Sequence, residues 1–171
     1  DHPESPRRLS AIRDYLMERQ VWDILQHVDA PKIEKKHLYR VHSRDYVDAV
    51  FDHFPMQKVK VLGEDVVANR HTLDAALRSA GGVCKAVDLV RGGEVANAFC
   101  AVRPPGHHAE KNRAMGFCIF SNVAVAAAYA LHQYDLERVA IVDFDVHHGN
   151  GTENILQYDE RVLFCSSFQH P

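Results

Sequence analysis

The run Val139-Ala-Ile-Val142 is apolar without a break, and beyond it Asp143, Asp145 and His147 alternate with apolar residues. An unbroken run of this kind predicts a strand over 139–146, buried on both faces. Side chains two apart on an extended chain point the same way. The two carboxylates and the imidazole are therefore expected to converge where the strand ends. Elsewhere the apolar positions recur at helical spacing. Leu9, Ile12, Leu16 and Met17 mark a helix over 7–20, with Ser5 and Pro6 as cap and first-turn residues. Tyr46, Val47, Val50 and Phe51 form the buried side of a helix over 43–54, and Leu73, Leu77, Ala80, Cys84 and Val87 the stripe of one over 71–90. Gly81-Gly82 inside that helix costs propensity, which predicts close packing against a neighbour, and Gly92-Gly93 ends it. Residues 121–134 are apolar nearly all round, as in an internal helix. A further helix starts over 151–158, and 96–102 and 162–168 read as strands. Strands alternating with helices predict an α/β fold, a mostly parallel sheet with helices on both faces in three α-β-α layers.

At 171 residues the chain has the size of one domain with a real core, and its hydrophobic fraction of 46% is ordinary for a globular one. The formal net charge of -3 argues against a broad nucleic-acid-binding surface, while leaving basic protein tails open as substrates. Among the twelve histidines, His27, His37, His53 and His132 sit in ordinary helix or loop contexts and are expected to be exposed. Cys84, Cys100, Cys118 and Cys165 are isolated in apolar segments with no CxxC pair. They read as buried thiols in a reducing compartment rather than a zinc site. No stretch is long enough to span a membrane and no signal peptide is visible.

The chemistry concentrates in three blocks. Buried carboxylates cost several kcal/mol unless they are paired or bind metal, so Asp143 and Asp145 directly after an apolar strand point to a metal. Carboxylate oxygen with imidazole nitrogen suits zinc or another borderline divalent ion, and open α/β sheets place ligands at the carboxyl ends of their strands. The bland alternative, a strand end whose Asn150 or Thr152 caps the next helix, leaves the two aspartates unexplained. The second block, Pro104-Pro-Gly-His-His-Ala109, follows another strand candidate. Adjacent imidazoles there can supply a general base and an electrostatic partner, each needing an acceptor to fix its tautomer. In the third block, Met115 to Asn122, Gly116 permits an unusual backbone. Phe117 could wall a narrow apolar tunnel, although spacing alone favours Phe117 and Phe120 as core.

Together with His2-Pro-Glu-Ser-Pro-Arg-Arg8, Val41-His-Ser-Arg-Asp-Tyr46 and Ala80-Gly-Gly82, these blocks resemble the histone deacetylase superfamily, in the same order and over nearly the whole chain. The resemblance is strongest to class II-like bacterial deacetylases and acetylpolyamine amidohydrolases. It implies an arginase/deacetylase-like fold and a zinc-dependent deacetylase acting on acetyl-lysine peptides or proteins, or on acetylated polyamines. Asp145 and His147 match two of the family's three metal ligands, and His107 and His108 its paired catalytic histidines. Asp143 matches the acidic partner of the first histidine, and Asn150 stands where the second finds its partner. Gly116 and Phe117 match the acyl-lysine tunnel, Arg8 an arginine at the foot of the active site, and Asp65 a rim aspartate. Backbone oxygens of Asp143, Asp145 and His147, with Ser166, resemble a structural potassium site.

Asp143 favours positive charge on His107, whereas an uncharged Asn150 supports it less on His108. His108 is therefore expected to be the base and His107 the more cationic partner. The family's third zinc ligand and its carbonyl-polarising tyrosine fall in later segments, and its first strand precedes the His-Pro-Glu motif. Residues 1–171 accordingly resemble a single, incomplete catalytic domain. Alone, this segment is expected to be weakly stable and inactive, with apolar sheet faces that invite aggregation or homo-oligomerisation. Two rival readings remain: an arginase-like di-manganese ureohydrolase, and a non-catalytic deacetylase-like interaction module. A cytoplasmic setting is the expectation from the class II-like motifs and the absence of targeting signals.

Overall fold

A computed structural model describes residues 4–54 and 58–170. His2 and Pro3 of the His-Pro-Glu motif therefore lie outside the described residues. The elements, in chain order, are α1 (Arg7–Glu18), α2 (Lys35–Leu38), α3 (Arg44–Asp52), β1 (Lys60–Gly63), β2 (Val66–Ala68), α4 (Thr72–Arg91), α5 (Asn122–Gln133), β3 (Val139–Asp143), α6 (Asn150–Leu156) and β4 (Val162–Ser166). β3 and β4 pair in parallel, with Asp143 opposite Ser166 at their carboxyl ends, and α6 is the crossover between them. β1 and β2 form a small antiparallel hairpin, which the sequence pattern did not disclose.

The core gathers around α5. Its small, apolar residues Ala124, Val125, Ala126 and Ala127 are buried, as expected of an internal helix, and α5 packs on α4 and β3. Phe120, Ile119, Leu38 and Val47 are each almost fully buried beside it. The glycine pair of α4 permits the close approach that its sequence predicts. A Cβ on Gly81 would strike the Pro31 carbonyl, and one on Gly82 would meet Ala30 at 3.0 Å. α3 begins at the Ser43 cap, whose hydroxyl accepts from the Tyr46 N–H, and it buries Val47 and Val50.

Several expectations are corrected. Helix α1 has neither a Ser5 side-chain cap nor a buried residue, and Met17 on its stripe is exposed. Residues 96–102 carry no ladder among the described residues, the Val102 N–H turns back to the Cys100 carbonyl, and Phe99 is exposed, so they are not a buried strand. β3 stops at Asp143 and buries one face only. Ile141 is inside, while Val142 is 69% exposed. The bland alternative of a helix cap also finds no support: α6 has no side-chain cap, Asn150 presents its amide oxygen to His108, and the Thr152 hydroxyl is buried without a partner. His37 is buried rather than exposed, and Cys165 is exposed and Cys100 half-buried rather than both being core thiols. Among the described residues no helix is long and apolar enough to cross a membrane.

Candidate active site

The site assembles where β3 ends and two loops reach it. One is the Pro104–Gly106 segment that delivers His107 and His108. It is fixed from beneath by buried polar groups: the Ser79 hydroxyl (2.8 Å) and the Asn122 amide (3.2 Å) both donate to the Pro104 carbonyl, and Asn122 also donates to Ser79. Gly106 lies so close to the start of α5 that a Cβ would meet the Asn122 nitrogen at 2.5 Å. Downstream, the Thr152 N–H at the start of α6 donates to the His107 carbonyl. Upstream, Arg103 is clamped by Glu4 (Nη2 to Oε2, 2.6 Å), and Glu4 also accepts from Arg8 at 3.1 Å. Arg8 thus bears on the histidine loop through Glu4 and Arg103.

The two imidazoles lie side by side, tilted 43° to each other with centroids 4.0 Å apart. His107 Nδ1 meets Asp143 Oδ2 at 2.9 Å, and His108 Nδ1 meets Asn150 Oδ1 at 2.7 Å. An oxygen at each Nδ1 makes that nitrogen the donor, so both rings direct Nε2 away from their partners. Burial pushes the His108 imidazole below its ordinary range. The neighbouring His107 and His147 add to that shift, while the Asn150 hydrogen bond opposes it.

Beyond Asp143 the chain leaves the strand, yet each carboxylate accepts from the backbone two residues on: Asp143 Oδ1 from the Asp145 N–H at 3.1 Å, Asp145 Oδ1 from the His147 N–H at 2.8 Å. These local bonds compete with strand continuation. They still bring Asp145 and His147 to one side, with His147 Nδ1 2.9 Å from Asp145 Oδ1 and His107 Nε2 3.9 Å from the same oxygen. Burial tends to raise the Asp145 carboxyl, but the His147 hydrogen bonds and the neighbouring imidazoles together bring it below the usual range. No group of three or more His, Cys, Asp or Glu side chains placed to hold a metal occurs among the described residues; Asp145 and His147 supply two oxygen and nitrogen donors side by side. His148 faces away, paired with Glu153 at 2.8 Å and in tilted ring contact with Phe168.

Gly116 and Phe117 both adopt positive φ, +52° and +68°. A Cβ on Gly116 would lie 2.5 Å from His108 Cδ2, so this glycine is the surface on which the His108 ring rests. Phe117 is half-buried, whereas Phe120 is core. Asp65, at φ +54° in the β1–β2 turn, is exposed beside Glu64, whose carbonyl accepts from the Gly116 N–H. Ser166 Oγ, across from Asp143, is buried without a partner. A cavity of about 320 Å³ lined by Tyr46, Leu62, Glu64, Arg113 and Met115 contains neither His107 nor His108, and the paired histidines sit outside it.

Sequence reading missed His42 and Glu110 as well as the Ser79 and Asn122 seat of the loop. His42, 2% exposed, bridges the histidine loop to the start of α5, and Glu110 contacts Asn150. Both lie within or beside recognised blocks, but a lone charged or imidazole residue there carries no spacing signal.

Residues 2–171 match the histone deacetylase domain. Histone deacetylase 5 of Arabidopsis thaliana is 40% identical over 99% of this chain and 27% of its own length. Polyamine deacetylase HDAC10 of Rattus norvegicus is 37% identical over 95% of this chain and 29% of its own. The crystal structure of the HDA15 HD domain superposes with a TM-score of 0.93 at 40% identity, covering 99% of this chain and 48% of that one. The chain thus spans less than a third of the length of these curated relatives and about half of the solved domain.

Proposed function

The chain belongs to the histone deacetylase family and has its α/β, arginase/deacetylase-like fold, and on that premise we propose that it carries the proton-transfer apparatus and two metal ligands of a zinc-dependent deacetylase. The observation that carries this reading is the pair of adjoining imidazoles, one backed by a carboxylate and one by an amide, beside Asp145 and His147. Their donor atoms fit zinc, with Asp145 and His147 as the two ligands from this chain. A third donor would come from the part of the domain that the chain does not span. When bound, zinc supplies Lewis acidity toward the amide carbonyl and the attacking water.

The chain's own residues divide the proton work. His108, neutral by burial, takes the proton of the attacking water at Nε2. His107 holds a proton at Nε2 and delivers it to the leaving amine, its imidazolium balanced by the Asp143 carboxylate. Gly116 lets the acyl group approach His108, Phe117 walls the channel, Asp65 holds the substrate at the rim, and Arg8 braces the foot through Glu4. The unpartnered Ser166 hydroxyl suits a potassium ion held with the Asp143, Asp145 and His147 carbonyls. The substrate is an acetylated amine, on a lysine side chain or a polyamine; the named relatives include both a histone and a polyamine deacetylase.

The test is metal content and fluorogenic acetyl-lysine hydrolysis of the full-length protein, with Asp145→Ala and His147→Ala alongside. One zinc per chain, with turnover falling at least ~100-fold in both variants, is the expected outcome. Two manganese ions would favour a ureohydrolase, and neither metal nor turnover an interaction module.

A further inference from the structure

We infer that Glu110 is a positioning residue for His108, setting which way the Asn150 amide faces and thereby which ring nitrogen of His108 carries the proton. The kinetic consequence rests on the deacetylase reading above; the tautomer itself does not.

The chain of contacts is short. Asn150 presents its oxygen to His108 Nδ1 at 2.7 Å and its nitrogen to Glu110 Oε1 at 2.9 Å. A side-chain amide is nearly symmetric in shape, so packing alone does not decide between its two orientations. A carboxylate accepts hydrogen bonds and donates none. With Glu110 on one side, the amide nitrogen must face it and the oxygen must face His108. That oxygen requires the proton on Nδ1, leaving the Nε2 lone pair free for the water. A flipped amide would present N–H to Nδ1, drive the proton to Nε2 and remove the base. The amide nitrogen's other neighbour, Met115 Sδ at 3.5 Å, is a weak acceptor and would not hold the orientation alone.

Glu110 is itself held on four sides. Arg113 clasps it bidentately, Nε to Oε2 at 2.9 Å and Nη2 to Oε1 at 2.8 Å. Its backbone N–H donates to the Arg113 carbonyl at 3.0 Å, and its carbonyl accepts from the buried His42 at 2.9 Å. The side chain is only 16% exposed. The guanidinium keeps the carboxyl below the usual glutamate range, and so ionised as an acceptor. A planar two-point clasp fixes a carboxylate in orientation as well as place. The turn over residues 110–113 therefore serves as a rigid bracket for the amide.

The experiment uses the full-length protein with ¹⁵N-labelled histidine, the His108 signals being assigned with a His108→Gln variant. At alkaline pH, where the rings are neutral, the wild type is expected to show the Nδ1–H pattern at His108. Glu110→Ala should give mixed or reversed tautomers and a kcat lower by about 10- to 100-fold, with KM within about twofold. Asn150→Asp alone sets two carboxylates face to face and should be similarly impaired. Asn150→Asp combined with Glu110→Gln lets the new amide donate to the new carboxylate and should recover activity to within about threefold of wild type. An unchanged Nδ1–H pattern in Glu110→Ala overturns the inference, as does a double variant no better than Asn150→Asp. If the wild type does not deacetylate, the proposed function fails while the tautomer pattern still decides the role of Glu110.

Discussion

His42 should make this fold acid-labile by a calculable amount. Its Nε2 accepts from the Ser121 N–H at 3.0 Å, and its Nδ1 donates to the Glu110 carbonyl at 2.9 Å. A backbone N–H at Nε2 admits only the neutral ring, and a proton there would break that bond inside the core, where His42 is 2% exposed. Burial accordingly pushes the imidazole down from 6.5 to about 4, against smaller upward pulls from the Glu110 and Lys111 backbone. Below pH 6.5 the unfolded chain takes up a proton that the folded chain refuses, so stability is complete above that pH and drains away as the pH falls to about 4. A difference in proton affinity is worth about 1.4 kcal/mol per pH unit, so the whole interval amounts to about 3 kcal/mol. His42→Gln offers the same one donor and one acceptor without titrating. Urea unfolding of both full-length proteins between pH 8 and pH 4 isolates this contribution, because the other titrating groups cancel in the difference. Wild type should be the more stable at pH 8 by about 1 kcal/mol, from better packing. Its advantage should shrink below pH 6.5 and reverse by about 2 kcal/mol near pH 4. A stability difference that stays flat across the range would refute the argument, since it would mean that the buried ring is protonated as easily as a free one.

Two further substitutions probe the seat of the histidines. Gly116→Ala places a methyl 2.5 Å from His108 Cδ2 at φ +52°; it should cost about 2 kcal/mol in chemical denaturation and displace His108 enough to lower kcat, and an unchanged kcat would show that the ring does not rest there. Asn122→Ala strips one donor from the Pro104 carbonyl and leaves Ser79 without its own donor, so unfolding should ease by about 1–3 kcal/mol, a loss that a neutral result in thermal or urea melts would disprove.

The local parts of the site were readable because their geometry is local. Asp143, Asp145 and His147 belong to one stretch of chain, and alternation brings them together whether that stretch is a strand or, as here, a succession of side-chain-to-backbone turns. The Pro104–His108 loop was readable as a block, but not its seat. The Pro104 carbonyl is held by Ser79 from α4 and Asn122 from α5, residues whose spacing records only helix. Likewise Glu110 resembles any loop glutamate until the fold brings Asn150 to it, 40 residues later in the chain. Contacts of that kind arise from packing between elements, and hydrophobic periodicity within one element contains no trace of them.

The misreading of β3 has a different origin. Its apolar run predicts burial on both faces, yet Val142, Phe144 and Val146 are 69%, 86% and 54% exposed, and Leu163 on β4 is 61% exposed. Isolated apolar residues on a surface are ordinary, but a contiguous set on adjacent strands is not. The pattern is that of a strand inside a wider sheet, whereas the described residues supply β3 with β4 alone as its hydrogen-bonded neighbour. At the site, Asp145 and His147 stand side by side, and no group of three or more His, Cys, Asp or Glu side chains placed to hold a metal occurs among the described residues. Val142 and Phe144 lie at and just beyond the end of β3, next to Asp143 and Asp145, so cover for this apolar face and the proposed metal site fall in the same place. On the proposed function, zinc binding and cover for this face should therefore be coupled in the full-length protein: zinc should raise hydrogen-exchange protection across β3, and Asp145→Ala should abolish that rise, whereas protection unchanged by zinc would refute the coupling.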